Sequence, residues 1–375
     1  MRIACARIHS VALRLRAPLV TARTTIEARV GFVVGLHSDA GAVGWGEALP
    51  LPGFGSEDLP ACRAALERWC RASVGAEVET LASSPIGGTA RTPAARCAVE
   101  LALLDLEGQR RGLRIADLLC VDTEPGESVA VNALLSGDDA PGVAASATRA
   151  RRAGFRAVKL KVGAKSRERD VERVAAARSA LGPSARIRLD ANGAWSGDEA
   201  LAILTDVERY GIEYVEQPVP ADDLESLASL RRRAKVRIAA DEAVADESSA
   251  IALLDAEAAD VLILKPPTLG GVRATAAIAK RAADAGVDCV VTSSIDSSLG
   301  IAGALQAAVA LPEPAAGPRL PCGLATGSLL EADIARGLSV RHGALTLPPD
   351  AGLGVHPDDD LLDAATREPV LCIPT

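Results

Sequence analysis

The chain has 375 residues, of which 49% are hydrophobic and 24% charged, and its formal net charge is -8. This length can hold an α/β barrel of about 250 residues plus a second unit of about 100 residues. The negative charge argues against a nucleic acid or an anionic membrane as partner, because either would favour a basic surface. The negative charge does not exclude a small anionic substrate, because a metal ion or a lysine in the site can make the local electrostatic potential positive.

The cysteines and the N-terminus indicate a cytoplasmic protein. Eight cysteines are scattered along the chain without a CxxC pair, which favours reduced thiols over a disulfide framework or a zinc knuckle. The first twenty residues contain four arginines. They have neither the apolar stretch of a secretory leader nor a membrane-spanning segment.

The first part of the chain, residues 1–125, predicts an α+β domain. Alternating apolar and polar residues predict strands at Ile3–Leu15 and Arg29–Leu36. Helical periodicity follows at Leu59–Ser73 and Ala94–Arg111.

The middle part, residues 126–333, repeats a short apolar strand, a polar turn and an alanine-rich helix. Its predicted strands are Val129–Leu134, Ala157–Lys161, Ile187–Asp190, Tyr214–Glu216, Ile238–Asp241, Val261–Leu264 and Cys289–Thr292. Its predicted helices are Ser166–Leu181, Gly197–Tyr210, Leu224–Ala234, Glu247–Ala256 and Gly271–Ala285. Seven or eight such units without a nucleotide-binding motif favour an α/β fold closed into a barrel. Residues 334–375 predict strand and turn, and we expect them to return to the N-terminal domain.

Charged residues stand at the carboxyl ends of five consecutive predicted strands. They are Lys161, with Lys159 two residues before it, Asp190, Glu216, Asp241 and Lys265. The intervals from Lys161 to Lys265 are 29, 26, 25 and 24 residues, each about one strand and helix. One such residue alone would more often form a salt bridge or a cap. Five in order indicate an active site, because these strand ends meet at one mouth of a barrel.

The residue types indicate a metal site between two lysines. Three carboxylates without histidine suit Mg²⁺ or Mn²⁺ and make zinc a poor candidate. Lys161 and Lys265 come from the second and sixth strands, which lie on opposite sides of a barrel. Lys159 points the same way as Lys161, and the neighbouring positive charge would lower the pKa of Lys161 and make it a usable base.

This arrangement suits removal of a proton from the carbon next to a carboxylate, because a divalent cation offsets the negative charge that develops. Asn192 either orients a ligand or closes the turn after Asp190. Arg188 also points inward and either contacts an anionic substrate or forms an interior salt bridge. Two other classes stay open at this stage. A Schiff-base aldolase would leave the carboxylates unexplained, and a non-enzymatic binding barrel would not depend on Lys161 for turnover.

The motifs KLK, DAN, VEQP, ADE and LKPPTLGG, in this order, resemble the enolase superfamily in its muconate-lactonizing subgroup. The stretches GWGEALPLPGF and AVELALLDLEGQ resemble the capping domain of that family. The resemblance implies a (β/α)₇β barrel with an α+β capping domain. It implies Mg²⁺ on Asp190, Glu216 and Asp241. It also implies Lys161 as base, supported by Lys159, with Lys265 on the opposite face.

Three stretches look most like the o-succinylbenzoate synthases of menaquinone biosynthesis: GWGEALPLPGFGSE, TSSIDSSLG and PCGLATGSLLEAD. Those enzymes dehydrate a succinyl-hydroxycyclohexadiene carboxylate. The resemblance implies that Lys161 removes the α-proton and returns it to the departing hydroxyl, while Lys265 stays charged. It places Thr292, Ser293, Ser294 and Gly323 in the pocket wall, with Phe54 closing the pocket from the cap.

Related activities of the superfamily stay open. Dipeptide epimerases of the subgroup typically carry a DxD pattern on the eighth strand, which CGLATGS lacks. An N-acylamino acid racemase needs the two opposed lysines that this chain has. The expected partner is a small carboxylate substrate, and association into a homo-oligomer is left open. The role of the loop Leu19–Thr25 is not predicted.

Overall fold

The computed structural model describes residues 1–20, 25–84, 92–120, 123–314 and 317–375. An N-terminal unit is built on an antiparallel sheet, and a larger unit is built on a parallel sheet. Among the helices of the described residues, none is both long and apolar enough to cross a membrane.

The N-terminal unit, which we call the cap, packs helices on a four-stranded antiparallel sheet. Its strands β1–β3 are Ile3–Val20, Thr25–Ser38 and Val43–Ala48. Residues 371–374 add the fourth strand beside β1. Its helices α1–α4 are Leu59–Ser73, Val78–Ser83, Pro93–Arg111 and Ile115–Leu119.

Helix α3 packs against β3 so closely that glycine is required on the strand. A Cβ atom at Gly46 would lie 1.9 Å from the carbonyl oxygen of Ala98, and one at Gly44 would lie 2.1 Å from that of Ala102. A side chain at either position would push the strand off the helix. The GWGE motif therefore seats β3 on α3 and brings Glu47 to the border with the barrel.

The larger unit is a parallel sheet whose strands follow one another in chain order from β5 to β11. After the short β4, Ser128–Ala130, these strands are Asn132–Leu135, Ala157–Lys161, Arg186–Asp190, Ile212–Glu216, Ile238–Ala240, Val261–Leu264 and Asp288–Val291. Helices α5–α12 are Ala140–Arg152, Arg167–Leu181, Gly197–Val207, Leu224–Arg233, Glu247–Asp255, Pro266–Leu269, Val272–Asp284 and Ser298–Val309. Short 3₁₀ helices occupy Glu208–Tyr210 and Ala325–Leu329.

Two residues close the sheet into a barrel. Cys322 bridges Val131 and Gly323 bridges Thr292, both in parallel orientation. The amide of Cys322 donates to the carbonyl of Ala130 at 2.7 Å, and the amide of Gly323 donates to that of Val291 at 2.9 Å. This pair takes the place of the eighth strand, so β5 is the first barrel strand, β6 the second and β10 the sixth.

The C-terminal tail serves both units. Strand β12, Ala344–Thr346, pairs antiparallel with β4, next to the start of the barrel sheet. Helix α13, Asp359–Ala365, follows, and β13, Leu371–Pro374, pairs with β1 of the cap. The predicted fold, a barrel with a cap completed by the tail, is confirmed, although β12 belongs to the barrel side. The predicted domain limits of 1–125, 126–333 and 334–375 remain a prediction.

Most predicted elements lie within a few residues of the observed ones. Helix α1 has the predicted limits, and α6, α8, α9 and α11 differ from prediction by one residue at one or both ends. Helices α5 and α12 were not predicted. Helix α5 buries Val143, Ser146, Ala147 and Ala150 at helical spacing, but Pro141 and Gly142 in its first turn are typical of loops. Helix α12 is buried along almost its whole length and so has no clear amphipathic period.

Candidate active site

The predicted site residues surround one cavity of about 260 Å³ between the barrel mouth and the cap. Those that line it are Lys159, Lys161, Asp190, Asn192, Asp241, Lys265, Thr292, Ser293, Ser294, Gly323 and Phe54. Glu216 lies behind this surface and contacts it through Lys159. The strand register explains the clustering, because Lys161 pairs with Asp190 and Asp190 pairs with Glu216 on adjacent strands.

Three buried carboxylates share three ammonium groups. The Lys159 Nζ lies 2.8 Å from Glu216 Oε1 and 3.1 Å from Asp190 Oδ2. The Lys161 Nζ lies 3.7 Å from Asp190 Oδ2, and the Lys265 Nζ lies 2.6 Å from Asp241 Oδ1. None of the three carboxylates is more than 4% exposed.

Burial and like charge disfavour the anionic form of Glu216. Burial, together with the nearby Asp190 and Asp241, raises the pKa of Glu216 to about 8 against the pull of Lys159. For Asp190, burial would raise the pKa, but Lys159 and Lys161 lower it below its ordinary value. Glu216 Oε2 is buried and finds no hydrogen-bond partner among the described residues. Glu216 therefore has a positive partner, Lys159, at only one of its two oxygens.

The far wall of the cavity consists of small and hydroxyl residues at the seam of the barrel. Ser293 Oγ lies 2.7 Å from Thr326 Oγ1, and Thr292 Oγ1 is buried without a hydrogen-bond partner in the described chain. A Cβ atom at Gly323 would lie 2.7 Å from Thr292 Cγ2, so glycine is needed there. The cap contributes apolar side chains, among them Phe54 and Leu19. The rest of the loop Leu19–Thr25 is described only in part, since residues 21–24 lie outside the described residues.

Comparison with known proteins agrees with this geometry. The profile of an enolase C-terminal domain-like family matches residues 142–361. The profile of the mandelate racemase / muconate lactonizing enzyme N-terminal domain matches residues 3–120. The chain belongs to the enolase superfamily. Its expected membership of the muconate-lactonizing subgroup is confirmed, and it is accordingly an enzyme.

Relatives within the superfamily carry different activities. The chain is 45% identical over 179 residues to an o-succinylbenzoate synthase of Thermobifida fusca, a match that covers 47% of this chain and 53% of the synthase. It thus aligns with only about half the length of that relative. It is 32% identical over 313 residues to the L-Ala-D/L-Glu epimerase of Bacillus subtilis, covering 81% of this chain and 84% of the epimerase. Overall similarity does not separate these reactions.

A solved structure of the superfamily contains metal. The dipeptide epimerase of Cytophaga hutchinsonii, in complex with Mg and the dipeptide D-Ala-L-Val, superposes with a TM-score of 0.89 at 26% identity. The match covers 100% of both chains. Members of the superfamily depend on Mg²⁺.

The donor set of this chain fits such a cation. Three carboxylates offer the hard oxygen ligands that Mg²⁺ prefers. Glu216 Oε2, which has no hydrogen-bond partner among the described residues, could bind a cation directly. Among the described residues, however, no three carboxylate, histidine or cysteine groups already surround a common point. The oxygens instead contact Lys159 and Lys265. A bound cation would compete with those ammonium groups for the same oxygens.

Two polar residues beside the site were missed by the sequence analysis, although the VEQP and ADE motifs contain them. Gln217 accepts from the amides of Asp241 and Ala243 at 3.0 and 3.2 Å, and so shapes the loop after β9. Glu242 accepts from Asn192 Nδ2 at 3.0 Å, while Asn192 Oδ1 accepts from Lys161 at 2.7 Å. Asn192 therefore orients Lys161.

Arg188 does not line the cavity, so its position does not support the predicted substrate contact. Its guanidinium is fully buried below the lysines, where Nε donates to Glu213 at 2.6 Å and Nη1 donates to Asn132 Oδ1 and the Pro321 carbonyl. It also lies 4.7 Å above the ring of Tyr214. Its side chain points inward as expected, but it is deeper in the barrel than the substrate region and forms the interior salt bridge that the sequence left as the alternative.

We predict that Arg188→Met lowers the free energy of unfolding by roughly 3–5 kcal/mol, because it removes a fully buried charged donor from Glu213, Asn132 and the Pro321 carbonyl. KM should stay near the wild-type value. The matched control is Arg186→Met, which removes the other, half-exposed partner of Glu213 and should cost about 1 kcal/mol or less. Urea unfolding and steady-state kinetics measure both quantities. A stable Arg188→Met protein with a strongly raised KM would restore the substrate-contact interpretation.

Proposed function

We propose that this protein is a Mg²⁺-dependent dehydratase that removes an α-proton and then a hydroxyl from a succinyl-hydroxycyclohexadiene carboxylate, as an o-succinylbenzoate synthase does. The observation that carries the proposal is the single cavity in which Lys161 and Lys265, from the second and sixth barrel strands, flank the carboxylates. The Schiff-base aldolase leaves this carboxylate cluster without a role.

Each residue has one task in this reaction. Asp190, Glu216 and Asp241 would hold the cation, which supplies positive charge beside the substrate carboxylate. Lys161, in its neutral form, takes the α-proton, and the electron pair moves into the carboxylate. The C–O bond then breaks, and Lys161 returns the proton to the departing hydroxyl, which leaves as water. Asn192 holds Lys161 in place, and Lys265 stays charged on the other face.

The charges of the cavity wall favour this substrate over a dipeptide. Among the described lining residues, Asp190 and Asp241 are the carboxylates, and both already contact lysines. Apart from Lys159, Lys161 and Lys265, the remaining described lining residues are apolar, hydroxyl-bearing or amide side chains or glycine. A dipeptide would bring a free ammonium group into this cavity without a carboxylate to receive it, which costs desolvation without compensation.

A second candidate activity is racemisation of N-succinylamino acids. The specific observation in its favour is the pair of lysines on opposite sides of the cavity, since racemisation needs one base on each face of the α-carbon. An N-acylated substrate also lacks the ammonium group that the cavity wall cannot receive.

We predict that the purified protein with Mg²⁺ dehydrates the cyclohexadiene substrate and does not epimerise L-Ala-L-Glu, with N-succinylamino acids tested beside them by polarimetry. Lys161→Ala should reduce turnover on the order of 10²–10⁴-fold, because it removes the general base. Lys165→Ala is the matched control: this lysine follows the same strand but pairs with the exposed Asp138, and its loss should change turnover less than about twofold.

Three outcomes would contradict the proposal. Dipeptide epimerisation without dehydration would reassign the reaction. Full activity after removal of divalent cations, with borohydride trapping of a carbonyl substrate on a lysine, would support the aldolase. Binding without any turnover that depends on Lys161 would support a non-enzymatic barrel.

We also predict that Asp241→Asn weakens Mg²⁺ binding at least about tenfold, because the affinity of oxygen sites follows their ligand charge. Calorimetric titration of Mg²⁺ measures this without any substrate. Asp206→Asn is the control, since Asp206 is a surface residue paired with Arg167. Equal Mg²⁺ affinity in the Asp241→Asn and Asp206→Asn proteins would remove Asp241 from the metal site.

A further inference from the structure

The turn after β11, residues 293–297, presents side chains to the cavity in a backbone conformation that its sequence disfavours. Ile295 lines the cavity and has a φ of 63°. A β-branched residue rarely adopts this left-handed region, because its Cβ crowds the backbone. Surrounding contacts must therefore hold the turn, which also carries Ser293 and Ser294 into the cavity wall.

One of the contacts comes from the cap. The amide of Ser297 donates to Glu47 Oε1 at 3.1 Å, and the Ser297 hydroxyl donates to Glu47 Oε2. Within the turn, the amide of Ser294 donates to Asp296 Oδ2 at 2.8 Å. Ser297 is also the N-cap of α12, where its Oγ accepts from the amide of Leu299. Glu47 thus fixes the end of the turn from a strand that lies 250 residues away in sequence.

The barrel leaves space for this carboxylate. A Cβ atom at Gly300 would lie 2.5 Å from Glu47 Oε1, so a larger residue there would displace the carboxylate or the helix. Glu47 is 5% exposed and does not line the active-site cavity. Glu47 therefore positions the 293–297 turn and does not contact the substrate.

A buried arginine extends this cluster to the opposite wall of the cavity. Arg29 donates to the carbonyls of Leu49 and Pro50. The chain continues directly into Leu51 and Phe54, which line the cavity from the cap. Burial raises the pKa of Asp296, and the charge of Arg29 opposes that rise. Arg29 thus holds the cap loop by hydrogen bonds, while its charge acts on Asp296 of the barrel turn.

We propose that Glu47 is a positioning residue of the active site: by holding Ser297 it keeps the 293–297 turn in the conformation that shapes the substrate wall. The cap therefore determines part of the wall that the barrel contributes. This inference does not depend on which carboxylate the enzyme turns over.

Hydrogen–deuterium exchange of peptides covering residues 292–299 tests the proposal without any substrate. Glu47→Ala should accelerate exchange at the Ser294 and Ser297 amides by about tenfold or more, because it releases the turn. Glu47→Gln should leave exchange within about threefold of wild type, since its side chain can still accept from the Ser297 amide. Where a substrate is turned over, Glu47→Ala should raise KM more than it lowers kcat.

Two further variants separate positioning from general loss of stability. Glu107→Ala removes an equally buried cap carboxylate that is paired with Arg110, away from the turn, and should leave this exchange unchanged. Glu47→Asp keeps the carboxyl group but shortens the side chain away from Ser297, and should accelerate exchange as Glu47→Ala does. If Glu47→Ala fails to fold, Glu47→Asp and Glu47→Gln decide the question.

The proposal is overturned if the turn stays as protected in Glu47→Ala or Glu47→Asp as in wild type. It is also overturned if Glu107→Ala releases the turn to the same extent. Failure of the dehydration assay would not affect this readout, so the two proposals can fail separately.

Discussion

Burial of three carboxylates on consecutive strands at the barrel mouth is the constraint on which the site depends. Asp190, Glu216 and Asp241 are each nearly inaccessible to solvent, and unpaired charges in such a place are strongly unfavourable. The barrel compensates with lysines from both flanking strands. Compensation is incomplete at Glu216, which has one buried oxygen without a partner. Binding of a divalent cation would supply the missing partner and would explain why the folded protein keeps this buried oxygen unpaired.

The fold meets this constraint through strand register. Lys161, Asp190 and Glu216 are direct neighbours across β6, β7 and β8, so their side chains leave the sheet at one level. Arg188 and Glu213 form a second charged layer deeper inside, which ties the third and fourth strands together. Arg188 also reaches Pro321 next to the seam that closes the barrel. This lower layer of Arg188 and Glu213 thus supports the geometry of the upper layer, which consists of Lys161, Asp190 and Glu216.

The upper layer could be predicted from the sequence, because strand ends recur at nearly constant intervals and the fold collects them at one mouth. Depth within the barrel could not be predicted. Arg188 and Lys159 both point inward, but only packing decides that one is enclosed and the other lines the cavity. The contact between Glu47 and Ser297 was equally inaccessible, since it joins two domains. The pairing of β12 with β4 was missed because it joins two short strands that lie far apart in the sequence.

The barrel carries the residues of the proposed proton abstraction, whereas the proposed substrate rests on the cap and on the seam between the seventh and eighth strand positions. The central claim is that the buried carboxylates form a divalent-cation site between two lysines. Anomalous diffraction from crystals grown with Mn²⁺ tests it most directly. The account predicts a single strong anomalous peak among Asp190, Glu216 and Asp241. Crystals in which Mn²⁺ binds elsewhere, or not at all, while Lys159 and Lys265 keep their contacts with the carboxylates, would contradict it.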